Sequence, residues 1–147
     1  MRNHLTKDDL QFLSERIAAA ESKTSGEIRV VVRHRRRWKE RSLSLHDLAL
    51  GEFRRLLMDR TPGRTGVLIL LLLSERAFQI IADEGIHSRV QEGTWDSIAS
   101  EMSGYFRKGG FREGIASAID RVGGVLAEHV PPAAGGGGHL ANDVLEN

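Results

Sequence analysis

The chain has 147 residues, of which 40% are hydrophobic, 28% charged and 5% aromatic. That size suits one domain with a full core, and the mix is too apolar for wholesale disorder and too charged for a membrane protein. The 21 Lys and Arg against 20 Asp and Glu leave a net charge of +1. No global field therefore points to nucleic acid, and the lack of cysteine excludes disulfides, thiolate zinc sites and cysteine nucleophiles.

Thr6 and Asp9 have the spacing of a capping box, and Leu10, Leu13, Ile17 and Ala20 follow at helical spacing, which predicts a helix over 6–22. Lys23-Thr24-Ser25-Gly26 breaks it. In Glu27–Arg33, Ile28, Val30 and Val32 alternate with Glu27, Arg29, Val31 and Arg33, the pattern of a strand with one buried face. A basic loop occupies 35–41. Ser44 with Asp47 offers a second cap, and Leu45, Leu48, Ala49, Phe53, Leu56 and Leu57 predict an amphipathic helix ended by Pro62-Gly63. Residues 67–73 contain no polar position, so they predict the central strand, buried on both faces.

Ser74-Glu75-Arg76 then makes a short connection, and 78–82 predict a third strand that forms a hairpin with the second. Beyond Asp83-Glu84-Gly85, a helix capped by Thr94 carries Trp95, Ile98, Met102, Tyr105 and Phe106 on one face as core residues. Gly109-Gly110 interrupts it, and Ile115, Ile119, Val122 and Leu126 mark a last helix. From Pro131 onward, two prolines, two alanines and four glycines predict a flexible tail, in which Leu140, Val144 and Leu145 offer a short apolar set to a partner.

The expected fold is α/β: a three-layer α/β/α sandwich with about four helices around a small mixed sheet. That sheet combines a right-handed βαβ unit with an antiparallel hairpin strand. Residues 1–130 form the domain and 131–147 the tail. The longest apolar run, 67–73, is far short of the roughly 18 residues of a membrane helix, and the N-terminus has no signal core. A soluble, cytoplasmic protein without a transmembrane segment is the expectation.

Four stretches in order resemble TPM domains: Thr24-Ser25-Gly26-Glu27-Ile28-Arg29-Val30, Thr65-Gly66-Val67-Leu68-Ile69, the run from Phe78 through Asp83-Glu84-Gly85-Ile86, and Phe106-Arg107-Lys108-Gly109-Gly110-Phe111-Arg112-Glu113-Gly114. The resemblance spans about residues 6–130 and is nearest to a short soluble bacterial form. It extends to the thylakoid-lumen phosphatase and photosystem-repair type. It implies a metal-dependent acid phosphatase-like hydrolase or a calcium-binding module. Where many members carry Asp-Asn before Gly-Val-Leu this chain has Arg64-Thr65, and where they carry Asp in the late motif it has Gly110.

Three site expectations follow. Glu27 opens the first strand while Asp83 and Glu84 close the antiparallel third, so their ends share one edge of the sheet, where hard oxygen ligands suit Ca²⁺ or another divalent metal. The basic loop 33–41, with Arg35, Arg36, Arg37 and Trp38, could hold a polyanion such as nucleic acid or an anionic membrane surface, or else a protein partner. Gly109 and Gly110 could offer backbone N–H groups to an anion at a helix start. Gly63-Arg64-Thr65-Gly66 is no phosphate loop, because it lacks the Lys-Ser/Thr pair and precedes a strand. The six histidines show no ligand spacing, and no organic cofactor or catalytic residue is indicated. Taken with the resemblance, which is the main support for metal binding, the expectation is a non-catalytic or weakly active module with a divalent-metal site at one edge of the sheet. The residues alone leave a solvated strand end as the alternative. The alternatives are a metal-dependent hydrolase with bound water as nucleophile, and an interaction module using 33–41.

Overall fold

The computed structural model describes residues 5–132 and 145–146. Helix α1 (Lys7–Glu21) starts on the expected box: the Thr6 hydroxyl accepts from Asp9 N–H at 3.1 Å and Asp9 Oδ2 accepts from Thr6 N–H at 2.9 Å. Strand β1 (Glu27–Arg33) leads through a folded loop to α2 (Leu45–Arg55), whose N-cap Ser44 accepts from Asp47 N–H. Strand β2 (Gly66–Leu72) and β3 (Ala77–Ala82) follow. They precede a single helical turn, α3 (Glu84–His87), and the long α4 (Thr94–Arg107) and α5 (Phe111–His129). Two residues, β4 (Leu145–Glu146), close the sheet.

The sheet order is β3-β2-β1-β4. Strands β1 and β2 run parallel, with Glu27 opposite Gly66 and Arg33 opposite Leu72. Strand β3 runs antiparallel to β2, with Val67 opposite Ala82. The βαβ unit, the hairpin and the three layers all match the sequence reading. On one face Ile28, Val30, Val32, Val67, Ile69 and Leu71 join Leu13 and Ile17 of α1, Ile98 and Met102 of α4, and Ile115 and Ile119 of α5. On the other, Val31, Leu68, Leu70 and Leu72 meet Leu48, Ala49 and Phe53 of α2. This two-sided covering explains why β2 has no polar residue.

Several details depart from the sequence reading. Strand β1 is buried along its whole length, on both faces. Its polar positions look solvent-facing in the alternation, but Arg29 and Arg33 are drawn inward by carboxylates. The α4 cap is Gly93, in the left-handed region at φ 88°, and the Thr94 hydroxyl instead donates to Gln91 O. The turn α3 was not foreseen; four residues are too few to show a period, and its cap is the Asp83 carboxylate. Most of the expected tail, including Leu140 and Val144, lies outside the described residues. Its described end, Leu145–Glu146, pairs in parallel with Val31 and Val32 and so adds a strand beside β1. A strand edge carries unpaired N–H and C=O groups that favour such an addition.

Candidate functional site

The hairpin register brings Asp83 beside Gly66, whose carbonyl accepts from Asp83 N–H at 2.9 Å, while Glu27 pairs with Gly66 from the other side. Glu27 and Asp83 therefore do reach one edge of the sheet. Each is engaged by a different partner there. Arg64 sets a fork on Asp83: Nη2 donates to Oδ1 at 2.8 Å and Nε to Oδ2 at 3.3 Å. Its Nη1 lies 3.7 Å from Glu84 Oε2, and Asp59 is within electrostatic reach. The Asp83 carboxylate is buried while the Arg64 side chain is half exposed.

Backbone geometry holds this arrangement. Arg64 sits in the left-handed region at φ 55°, just after Gly63 at φ 73°. That turn presses directly on α3. A Cβ at Gly85 would lie 1.8 Å from Gly63 O and 2.5 Å from Arg64 O. The glycine of the Asp83-Glu84-Gly85 motif is therefore a close approach of two backbones.

Glu27 meets Glu21, the last residue of α1. Both are buried. Glu21 Oε2 accepts from Ile28 N–H at 2.7 Å, capping the outer edge of β1. Among the described residues its Oε1 has no donor in reach unless one of the two acids is protonated, in which case it can bond the Glu27 carboxyl. Burial pushes the Glu21 carboxyl up to about 7; Glu27 adds to the rise, and the Ile28 N–H bond and Arg29 oppose it. Two buried acids sharing a proton behave as a coupled pair.

These partners decide the fit to a divalent cation. Such an ion needs several converging oxygens free of other cations. Here Asp83 and Glu84 face a guanidinium and Glu27 faces a second acid. Among the described residues no three or more His, Asp or Glu side chains gather into a set able to hold a metal. The residues present do not fit the ion that the resemblance implies.

The basic loop is folded. It contains a 3-10 turn (Trp38–Glu40). Arg33, almost fully buried at the end of β1, donates twice to Glu40 and lies 3.6 Å from Glu52, which also takes Arg55. Hydrogen bonding to Arg33 holds the Glu40 carboxyl below its usual range. Arg36 is the staple of the loop: Nε donates to Glu75 at 2.7 Å, and Nη1 to the carbonyls of Glu40 and Leu43. Arg35, Arg37, Lys39 and Arg41 are exposed around Trp38, which is 75% exposed, and Arg41 stacks over its ring at 4.9 Å. Gly109 and Gly110 point elsewhere than to an anion: their N–H groups donate to Phe106 O and Tyr105 O and close the end of α4.

The Arg64–Asp83 fork and the Glu21–Glu27 pair were missed in the sequence. The fork had a signal. Once 67–73 and 78–82 form a hairpin, its register places the residues before the second strand beside those after the third. The Glu21–Glu27 pair had none, since Glu21 lies at a helix end whose position is set by packing.

No functionally curated protein matches the chain. A solved structure of the BA42 protein from the psychrophilic bacterium Bizionia argentinensis is similar, with 29% identity and a TM-score of 0.86 over 97% of this chain and 95% of that one. The N-terminal domain of a protein from P. gingivalis shares the fold at 22% identity and a TM-score of 0.68, over 88% of this chain and 82% of that one. The model of the TPM domain matches residues 1–125. The chain belongs to the TPM-domain family.

Proposed function

We propose that this TPM domain is a non-catalytic docking module that binds an acidic protein surface through Trp38 and the cations around it. The observation that carries this reading is an exposed tryptophan on a loop already fixed by buried ion pairs. Large aromatic side chains beside arginines dominate protein interfaces. A pre-ordered loop loses little conformational freedom on binding, because buried Arg33 anchors it from within and Arg36 ties it to Glu75 at the surface. The exposed positive charges are few and local, which suits a patch on an acidic protein better than the long phosphate track of nucleic acid. The metal-dependent hydrolase reading has less support, since Arg64 engages the carboxylates on which it would depend.

The test uses a fluorescent Glu-rich peptide, with duplex DNA and anionic vesicles as comparators. Binding of the peptide is expected to weaken steeply as salt rises through about 0.15 M. Trp38→Ala should weaken it about tenfold, the loss of ~1.4 kcal/mol. Equal affinity in wild type and Trp38→Ala, or preference for DNA or vesicles, would refute the reading.

A further inference from the structure

We propose that Arg64 is a built-in replacement for a divalent cation: its guanidinium supplies, among Asp59, Asp83 and Glu84, the positive charge that a bound ion would supply. The domain's stability is therefore independent of metal. This inference goes beyond the docking surface and does not depend on it.

The geometry supports it in three ways. First, both oxygens of a buried carboxylate are taken by one cation. Asp83 Oδ1 receives Arg64 Nη2 and the Glu84 N–H, each at 2.8 Å, and Oδ2 receives Nε at 3.3 Å. A carboxylate buried without such partners is strongly disfavoured. Second, the cation sits among several acids, since Glu84 lies 3.7 Å from Nη1 and Asp59 also acts on Arg64. Third, the backbone is bent to place it. A non-glycine residue at φ 55° is unfavourable by itself and persists only where surrounding contacts fix it. Here they do: the carbonyls of Gly63 and Arg64 abut Gly85.

A guanidinium fixed by a turn of the chain differs from an ion in one testable respect. It cannot be removed by chelation or restored by dialysis. Removing its charge should leave the buried Asp83 carboxylate without its cation and the charges of Glu84 and Asp59 no longer offset, an excess of negative charge that an added hard cation can relieve.

Thermal melts at constant ionic strength, with EDTA or with about 10 mM Ca²⁺, decide it. Wild type is expected to melt at the same temperature in both. Arg64→Asn should melt lower in EDTA and regain about 4 °C or more in Ca²⁺, while Arg64→Lys, which keeps the charge, should stay insensitive to Ca²⁺. A wild type stabilised by Ca²⁺ but not by Na⁺ overturns the proposal. So does an Arg64→Asn protein that Ca²⁺ fails to stabilise, or fails to refold by circular dichroism if EDTA leaves it unfolded. Loss of peptide binding at Trp38 would leave these results untouched.

Discussion

Gly85→Ala is expected to lower the melting temperature by roughly 10 °C, the largest effect of an added methyl group at any described glycine. The added Cβ would lie 1.8 Å from Gly63 O and 2.5 Å from Arg64 O, and both are backbone atoms that cannot swing aside. The turn must lift off α3, and Arg64 then loses its fork on Asp83. Overpacking of a well-fixed site costs about 1–3 kcal/mol, and the lost fork adds to it. Gly51→Ala and Gly124→Ala are the controls. Both sit in helices with no described atom within 4 Å of the added carbon, so each should stabilise by up to about 1 kcal/mol. Thermal melts of the three variants suffice. A Gly85→Ala protein as stable as wild type would contradict the clamp.

The second large effect depends on pH. Glu21 titrates at about 7 in the folded protein against 4.5 as its ordinary value, so the folded state binds more protons than the unfolded chain between those values. Stability must then fall as pH rises through that window, and the contribution is fully present only below about pH 4.5. Glu21→Gln removes the titration but keeps the contacts: its amide oxygen can accept from Ile28 N–H and its amide N–H can donate to Glu27. The variant should match wild type near pH 5 and exceed it at about pH 8, by up to ~3 kcal/mol at about 1.4 kcal/mol per pKa unit. Urea melts at the two pH values measure this. An unchanged pH slope in Glu21→Gln would show that the pair is not the source.

Local chemistry was the most legible part of this sequence. Thr6 with Asp9 and Ser44 with Asp47 predicted two helix starts, because a cap needs only residues three apart. The apolar run predicted β2 because a strand covered on both faces has no place for a polar side chain. Strand β1 kept its limits but not its exposure. Arg29 and Arg33 look like solvent-facing positions, and only the folded chain shows Glu40 and Glu52 arriving to bury Arg33.

The site was legible only as far as its acids. Glu27 and Asp83 do meet one edge, as strand direction requires. Which cation faces them depends on a left-handed turn at Gly63-Arg64, and no periodicity encodes that. The basic loop likewise showed its charge in the sequence. It did not show that Arg36 folds across to Glu75 while Trp38 turns out. The strand at Leu145–Glu146 was hidden for a related reason: two residues carry no alternation.

The claim that this TPM domain docks rather than catalyses is tested most directly by phosphate release from a generic phosphomonoester. The purified full chain is assayed with Mg²⁺, Ca²⁺ and Mn²⁺ in turn, beside Asp83→Asn. Release at the level of the protein-free blank with every metal, the same in both proteins, is the predicted result. Metal-dependent turnover that wild type shows and Asp83→Asn loses would contradict it, placing catalysis at the carboxylate that Arg64 holds.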